Sequence, residues 1–148
     1  MFQQRFNQGR IVKAYLWLHH CILKMDKREE KRPWGGYQII DIGSSFKAKR
    51  IWVKLGHRLS YQKHLQRIEH WVLIEGKAKV TLDGNEILLK AGQAIDIPQG
   101  SAHRIENIGE NPLSLIEIQM GKNLSENDVI RLEDDYGRAG HPLKGGSP

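Results

Sequence analysis

Four side chains in the middle of the sequence have the types and spacing to bind a divalent metal ion. Gln62 and His64 stand two residues apart in a β-rich segment, so their side chains would share one face of a strand. Glu69 follows after a short turn, and His103 comes later, after the turn Pro98-Gln99-Gly100. An amide oxygen, a carboxylate and two imidazoles suit zinc, manganese, iron or cobalt. We therefore predict that Gln62, His64, Glu69 and His103 hold one such ion, with zinc as the first choice.

The elements that would position these side chains are short β-strands. Several runs, such as Lys77–Leu82, alternate apolar and polar residues with a period of two, which is typical of half-buried strands. Asp83-Gly84 predicts a tight hairpin turn directly after that run. With their glycine-containing turns, the strands predict an all-β fold, an antiparallel jelly-roll barrel. The eight predicted strands are Tyr37–Ile42, Phe46–Leu55, His70–Ile74, Lys77–Leu82, Glu86–Lys90, Ala94–Ile97, Ala102–Glu106 and Leu113–Met120.

The sequence divides into three predicted parts. Residues 1–31 are expected to form an N-terminal extension, helical or disordered, because apolar residues recur at helical spacing between Ile11 and Ile22. Residues 32–138 carry the β-rich pattern and form the predicted domain. Residues 139–148 are rich in glycine and proline, which predicts a disordered tail.

One short helix is predicted near the C-terminal end of the domain. Ser125-Glu126-Asn127-Asp128 has the serine and acidic residue, three positions apart, that are typical of a helix N-terminus. We expect the helix to begin there and to include Asp128–Leu132.

Composition and charge limit the class of protein. Residues 1–32 hold 8 Lys/Arg and 3 Asp/Glu, whereas the remaining 116 of the 148 residues hold 15 and 14. The domain is therefore nearly neutral, and no nucleic-acid partner is expected for it. No apolar stretch has the length of a membrane-spanning helix, so no membrane partner is expected either. The single cysteine, Cys21, fits a reducing compartment and predicts a cytoplasmic location.

Two longer sequence patterns resemble the two motifs of the cupin family. The resemblance implies a double-stranded β-helix with a metal site. The first pattern departs from the family at one position, since Gln62 stands where a histidine is usual, and the second matches in full. The first pattern comprises Gly56, Gln62-Lys63-His64, Glu69 and Gly76. The second comprises Gly92, Pro98-Gln99-Gly100, His103 and Asn107.

A narrower resemblance covers nearly the whole domain. The run from Gln62 to Trp71 and the segments Arg32-Pro33-Trp34-Gly35 and Glu133-Asp134-Asp135-Tyr136-Gly137-Arg138 resemble the C-terminal cupin domain of type II mannose-6-phosphate isomerases. In that family the domain is usually fused behind a mannose-1-phosphate guanylyltransferase, and its own motif contains the glutamine. The resemblance implies the interconversion of mannose 6-phosphate and fructose 6-phosphate through an enediol, with the metal polarising the sugar oxygens.

Two features of the chain depart from that family. Residues 1–31 resemble nothing in the domain and are too short for a nucleotidyltransferase, so guanylyl transfer by this chain is not expected. Leu65 and Gln66 stand where the family often has further histidines. If those histidines move protons in the family, this chain would need another group for that task.

The resemblance also implies roles for side chains beyond the metal ligands. Arg67 is the predicted phosphate anchor and a catalytic candidate, with Arg58 as the second anchor. Lys49 is a further substrate-binding candidate, although strand alternation allows only one of Lys49 and its neighbour Arg50 to point inward.

The catalytic base is predicted with two alternatives. Glu117 shares one face of the last predicted strand with Gln119, opposite Ile116 and Ile118, so it would face a polar site inside the barrel. His70 is a second catalytic candidate, although it alternates away from Glu69 in a regular strand. His57 stands behind Glu117 as a further choice for the base.

Two functions remain open at the level of sequence. The first is a free-standing, metal-dependent sugar-phosphate isomerase, a cytoplasmic enzyme of mannose and polysaccharide metabolism. The alternative is a non-catalytic cupin that binds a sugar phosphate, or that serves as partner subunit of a separate guanylyltransferase. By analogy with cupins that cover their exposed sheet edges, a homodimer is expected in either case.

Overall fold

A computed structural model describes residues 29–139, which form eleven β-strands. The predicted disordered tail lies outside the described residues except for Ala139, and so does the predicted extension except for residues 29–31. There is no helix within residues 29–139, and hence none that could cross a membrane. The strands are β1 (Glu29–Arg32), β2 (Gly35–Ile42), β3 (Phe46–Val53), β4 (Tyr61–Lys63), β5 (Arg67–Glu75), β6 (Lys77–Leu82), β7 (Asn85–Lys90), β8 (Ala94–Ile97), β9 (His103–Asn107), β10 (Leu113–Gly121) and β11 (Ile130–Glu133).

The strands form two antiparallel sheets, which confirms the predicted all-β fold. The six-stranded sheet has the order β1-β2-β3-β10-β5-β8, and the five-stranded sheet has the order β11-β4-β9-β6-β7. From β3 to β11, successive strands lie in opposite sheets except for the hairpin of β6 and β7, as in a jelly roll. Residues far apart in the chain can meet between the two sheets because each sheet contributes an inner face.

Both sheets pack their inner faces against one apolar core. Burial of these side chains supplies the main driving force for folding. The largest fully buried apolar residues are Leu73, Ile97, Ile105, Leu113, Leu115, Val53 and Val80.

The inner face of the six-stranded sheet is polar toward one end of the barrel. Lys49 on β3, Glu69 on β5, and Glu117 and Gln119 on β10 are all buried. Glu117 pairs with Lys49 and Gln119 pairs with Glu69 in the strand register, so these side chains lie side by side. Such a layer would be unfavourable in a purely structural core, because buried polar groups require partners.

The predicted turn at Asp83-Gly84 is confirmed. Both residues have positive φ, 47° for Asp83 and 83° for Gly84, and Leu82 pairs with Asn85 across the turn. Two consecutive positive φ values are the requirement of the tight hairpin turn that this dipeptide favours.

The predicted helix at Asp128–Leu132 is wrong. Residues 125–128 form one turn, closed by a 3.3 Å hydrogen bond from the Asp128 amide to the Ser125 carbonyl, and the chain then enters β11. The Asp128 carboxylate accepts hydrogen bonds from the amides of Leu65 and Gln66, both at 3.0 Å. Because this tertiary contact uses the Asp128 carboxylate and β11 pairs with β4, no helix propagates.

The domain also begins earlier than predicted. Glu29–Arg32 forms β1 and pairs with β2 across the turn at Pro33-Trp34. The run Glu-Glu-Lys-Arg lacks the apolar alternation that identifies a strand, because β1 lies at a sheet edge.

Candidate metal centre

Three of the four predicted metal ligands converge in the interior. His64, Glu69 and His103 each present one ligand atom, and these atoms lie within 4.8 Å of one another. The Nε2 atom of His64 is 3.1 Å from Glu69 Oε1, and that of His103 is 3.6 Å from Glu69 Oε2. The three side chains are at most 2% exposed, so the donors are removed from water. This arrangement is suited to a cation that binds nitrogen and oxygen ligands.

The two sheets bring these ligands together. Glu69 lies on β5 of one sheet, and His103 begins β9 of the other. His64 directly follows β4, and its carbonyl accepts a 2.7 Å hydrogen bond from the amide of Gly100. Gly100 has a φ of 82°, a conformation that favours glycine, so the predicted Pro98-Gln99-Gly100 turn closes onto the loop that carries His64.

Backbone carbonyl groups fix the orientation of both imidazoles. His64 Nδ1 is 2.5 Å from the Asp128 carbonyl oxygen, and His103 Nδ1 is 2.9 Å from the Ser101 carbonyl oxygen. A carbonyl oxygen only accepts, so each Nδ1 carries the proton and each Nε2 directs a lone pair toward Glu69. His103 Nε2 is buried and has no hydrogen-bond partner among residues 29–139. A metal ion would accept this buried, unpartnered lone pair and would also bind the neighbouring carboxylate. The residues present therefore fit a metal ion.

Charge reinforces the same arrangement. Burial lowers the pKa of His103, which keeps its imidazole neutral and able to donate a lone pair. Burial opposes the charge of Glu69, but the pKa of Glu69 is held below its ordinary value by its neighbours, among them the guanidinium group of Arg67. Trp71 Nε1 donates a 3.1 Å hydrogen bond to Glu69 Oε2 and so orients the carboxylate.

The fourth predicted ligand, Gln62, lies next to this cluster. Its Cα pairs with that of His103 across β4 and β9, and its side chain lines the adjoining cavity. Gln62 Oε1 accepts a 2.6 Å hydrogen bond from Ser60 Oγ. Coordination by Gln62 stays a prediction.

Arg67 is buried against the ligand cluster. Its guanidinium donates to Glu69 Oε1 at 3.1 Å and to the Ser125 carbonyl at 2.9 Å, and its Nη2 is 3.3 Å from His64 Nε2. All three guanidinium nitrogens are therefore engaged within the chain. Arg67 thus lies beside the candidate metal ligands, and its hydrogen bonds are those of a residue that positions Glu69 and His64.

A cavity of about 550 Å³, part of it open to solvent, adjoins Glu69. Five cationic side chains line it against three carboxyl groups, so its net charge favours an anionic ligand. Lys49 lines the cavity and Arg50 does not, so Lys49 is the one of these two neighbours whose side chain points inward. The cationic side chains are Arg32, Lys49, Arg67, Arg131 and Arg138, and the carboxyl groups are Glu69, Glu117 and Glu126.

Glu117 faces this cavity from β10, as its strand parity predicts. Gln119 Nε2 donates to Glu117 Oε1 at 2.8 Å and to Glu69 Oε1 at 3.2 Å, and so links the two carboxyl groups. Burial and the charge of Glu69 raise the pKa of Glu117 to about 8. Lys49 Nζ lies 3.8 Å from Glu117 and 2.6 Å from Glu126, which the sequence does not identify as part of the site.

Three predicted residues lie elsewhere. His70 is on the outer face of β5, where its Nδ1 is 2.6 Å from Asp96 Oδ1, because neighbouring residues on a regular strand point to opposite faces. Arg58 is 38% exposed and pairs with Asp135 at 2.7 Å, outside the cavity lining. His57, the further choice for the base, stacks on Tyr136, and neither residue lines the cavity. The catalytic assignment of His70 and the substrate-binding assignment of Arg58 are therefore not supported by their positions.

Several cavity residues escape detection in the sequence. Tyr37 is 5% exposed beside Lys49, whose Nζ is 4.4 Å from the Tyr37 ring centre, and burial raises the pKa of its hydroxyl. Arg131 lies in the segment mistaken for a helix. The alternation of Ile130, Arg131 and Leu132 is the signal that identifies β11. It places Arg131 on the face opposite to Ile130 and Leu132.

Comparison with known protein families gives one match over most of the chain. The family model described as "Mannose-6-phosphate isomerase C-terminal" matches residues 22–134. Residues 22–31 thus fall inside the matched region, which moves the predicted family boundary toward the N-terminus.

In each of two curated relatives, a region that makes up the smaller part of the protein is similar to this chain. The mannose-1-phosphate guanylyltransferase of Escherichia coli (strain K12) is 51% identical over 111 residues, which are 75% of this chain and 23% of that protein. The alginate biosynthesis protein AlgA of Pseudomonas aeruginosa is 48% identical over 124 residues, 84% of this chain and 24% of that protein. The chain therefore spans about a quarter of the length of these two relatives.

Solved structures support the fold. An oxalate decarboxylase from Lactobacillus farciminis superposes with a TM-score of 0.64 at 24% identity, over 72% of this chain and 34% of that one. An RmlC-like cupin from Shewanella frigidimarina superposes with a TM-score of 0.58 at 21% identity, over 65% of this chain and 85% of that one. These similarities establish the cupin fold.

Proposed function

The chain belongs to the mannose-6-phosphate isomerase C-terminal family, and from this premise we propose that it is a metal-dependent isomerase of mannose 6-phosphate and fructose 6-phosphate. The observation that carries the proposal is the ligand cluster of His64, Glu69 and His103 at the edge of a cavity with excess positive charge. A sugar phosphate supplies both the oxygens that a metal binds and the negative charge that the cavity favours.

We propose that His64, Glu69 and His103 hold the metal, with Gln62 as the fourth protein ligand. When bound, a divalent cation polarises the sugar carbonyl and stabilises the negative charge that develops during enolisation. The nitrogen and oxygen donor set suits zinc, and cobalt, manganese or iron would also be accepted. Arg67 and Trp71 orient Glu69, and the backbone carbonyl groups of Asp128 and Ser101 orient the two imidazoles.

Glu117 is the proposed base. With a pKa raised to about 8 in the metal-free protein, its carboxyl group can accept and return a proton near neutral pH. The carboxylate would take the proton from C2 of open-chain mannose 6-phosphate and leave an enediolate with its charge on O1. A proton would pass from O2 to O1, and Glu117 would return its own proton to C1 to give fructose 6-phosphate. Gln119 holds the Glu117 side chain by a 2.8 Å hydrogen bond, and Lys49 faces the same carboxyl group.

The alternative is a sugar-phosphate-binding cupin without catalysis, or a partner of a separate guanylyltransferase. Two observations favour it: the Escherichia coli relative named above is a guanylyltransferase with a much longer chain, and Leu65 and Gln66 replace the histidines common in the family. Against it, the side chains of Leu65 and Gln66 are exposed and do not line the cavity. A histidine at either position would therefore point away from Glu117.

A coupled assay tests the two functions. Purified protein loaded with zinc, cobalt or manganese is incubated with fructose 6-phosphate, and mannose 6-phosphate is measured, with a chelator-treated sample as reference. Turnover that requires metal and is lost in Glu117→Gln, but kept in the control His70→Gln, supports the isomerase. Binding of mannose 6-phosphate without turnover in the metal-loaded protein contradicts the isomerase and supports the binding module.

We further propose that the chain forms a homodimer and acts in the cytoplasm. Several apolar side chains are exposed on the outer face of the six-stranded sheet, among them Ile68, Ile74 and Met120. A patch of this kind can pair with its own copy about a two-fold axis, since both copies present the same surface.

A further inference from the structure

Arg131 has an unusual environment in the cavity. It lies on β11 directly opposite Gln62 on β4, and both side chains line the cavity. The Nε atom of Arg131 is buried and has no hydrogen-bond partner among the described residues. Buried polar groups in folded proteins are nearly always paired, so this donor requires an explanation.

The other cationic side chains of the cavity all have partners. Lys49 pairs with Glu126 at 2.6 Å, Arg138 pairs with Asp134 at 2.6 Å, and Arg32 pairs with Glu30. Arg67 is engaged by Glu69, His64 and the Ser125 carbonyl, as described above. Within residues 29–139, Arg131 is therefore the cationic side chain of the cavity that has no partner and whose Nε donor is available to a ligand.

The surroundings of Arg131 oppose its charge. Burial and the nearby charge of Arg138 lower its pKa, although an arginine side chain stays protonated at any physiological pH. Asp134 and Glu126 partly offset these two effects, and Arg131 as a whole is half-buried, but its buried Nε donor still lacks an acceptor, which is unfavourable. A bound anion would remove this cost and would satisfy the free donor at the same time.

We propose that Arg131 is the centre of an anion subsite that binds the phosphate group of the substrate, with Arg138 and Arg32 beside it. The guanidinium group offers the paired donors that phosphate oxygens accept. The subsite replaces the anchors expected from the sequence, because Arg58 lies outside the cavity and Arg67 is engaged at the metal ligands. That the phosphate belongs to a hexose rests on the proposed function.

The position of Arg131 also suggests how the substrate lies. Arg131 and Gln62 belong to the five-stranded sheet, whereas Glu117 projects from β10 of the opposite sheet. The side chains of Arg32 and Arg138 are 29% and 23% exposed, whereas that of Arg67 is 2% exposed. The phosphate would thus lie toward the more exposed part of the cavity, and the reacting carbons would lie deeper, near Glu69 and Glu117.

The test compares Arg131→Gln and Arg131→Lys with Arg50→Gln, which changes an exposed arginine on the outer face of β3. Binding of inorganic phosphate, mannose 6-phosphate and mannose is measured by calorimetry on metal-loaded protein, and metal content is measured alongside. Arg131→Gln is expected to weaken both phosphate-containing ligands roughly 10- to 100-fold, the typical effect of losing a charge-assisted hydrogen bond. Arg131→Lys is expected to give a smaller loss of affinity for these ligands. The metal content of the Arg131 variants and the ligand affinities of Arg50→Gln are expected to equal those of the wild type.

The outcomes separate this inference from the proposed function. Arg131-dependent phosphate binding without isomerase turnover retains the subsite and overturns the isomerase. Turnover with the same KM for mannose 6-phosphate in wild type and Arg131→Gln overturns the subsite and retains the isomerase. If Arg131→Gln does not fold, the rise in urea midpoint caused by inorganic phosphate is compared between wild type and Arg131→Lys. A rise that is smaller in Arg131→Lys supports the subsite, and an absent or equal rise overturns it.

Discussion

At the scale of single residues, the proposed metal centre depends on where each imidazole carries its proton. The Ser101 carbonyl holds the proton of His103 on Nδ1, and Nε2 is left without a partner among the described residues. The Asp128 carbonyl likewise holds the proton of His64 on Nδ1. A side chain with a hydrogen-bond donor at the position of Nε2 would therefore not replace His103 as a ligand.

Replacement of His103 should remove the metal. We expect His103→Ala to lose more metal affinity than the roughly 10- to 100-fold that follows from losing an outer-shell partner. Metal content after dialysis against a graded chelator series measures the effect, with His70→Ala on the outer face of β5 as the matched control. Equal metal retention in His103→Ala and wild type would contradict the proposed ligand set.

Glu117 makes stability depend on pH in a defined direction. Its pKa in the folded, metal-free protein is about 8, against an ordinary value of 4.5. Between these pH values the folded state holds a proton that the unfolded state releases, so this group lowers the free energy of unfolding as pH rises. Glu117→Gln is neutral at every pH, and its stability relative to wild type is expected to increase from pH 5 to pH 8.5.

Urea unfolding at those two pH values, with chelator present, measures this difference. The control is Glu75→Gln, which changes an exposed carboxyl group on the same sheet. Parallel stability profiles for wild type and Glu117→Gln would show that Glu117 is charged in both states.

At the scale of secondary-structure elements, the turn at residues 125–128 holds the loop after β4, which carries His64, next to the start of β11. The Asp128 carboxylate accepts hydrogen bonds from the Leu65 and Gln66 amides, and its carbonyl holds His64. One residue therefore fixes both the path of the loop after β4 and the orientation of His64, a proposed metal ligand. The prediction of a helix at this point fails because the partners of Asp128 lie more than sixty positions away in the chain.

Removal of the Asp128 carboxylate should affect stability and metal binding together. We expect Asp128→Ala to lower the free energy of unfolding by about 1–3 kcal/mol, because two backbone amides lose their acceptor. Metal affinity should fall about 10-fold or more, since the loop no longer holds His64 in place. Urea unfolding and chelator competition measure the two effects. The exposed neighbour Asn127→Ala serves as control, and a stability loss without any change in metal affinity would separate the turn from the site.

At the scale of the whole molecule, the interior and the outer surface of the barrel differ in polarity. Inside, the apolar core gives way to a polar layer at one end, which contains the proposed metal ligands and the cationic cavity. Outside, the six-stranded sheet presents Ile68 and Met120, which are 42% and 40% exposed and pair directly across β5 and β10. Contiguous exposed apolar residues on a folded domain are typical of an interaction surface.

A charge placed on this outer face should prevent the proposed homodimer. We expect Ile68→Lys to sediment as a monomer at concentrations at which the wild type is a dimer, because a buried lysine in a symmetric interface meets its own copy. Leu88→Lys is the matched control, since Leu88 is 68% exposed on the other sheet. Sedimentation velocity measures both variants. A dimeric Ile68→Lys would exclude this surface as the interface.

The sequence alone predicted the candidate ligands, the strand alternation and the family. The cluster of His64, Glu69 and His103, with Gln62 beside it, could be predicted because glycine and proline turns fix the spacing of these residues, and the parity of β10 directed Glu117 inward. These are local properties of the backbone, set by which φ and ψ values each residue tolerates and by the two-residue period of a strand.

Only the tertiary structure decided which side chains share a space. Alternation allows Lys49 or Arg50 to face inward, and no local pattern distinguishes the engaged Arg67 from the unpartnered Arg131. Those differences depend on partners such as Glu126 and Asp128, which reach their contacts from distant parts of the chain. The physical reason is that hydrogen bonds and ion pairs depend on distances in space, and strand order and register set these distances only when the two sheets close on each other.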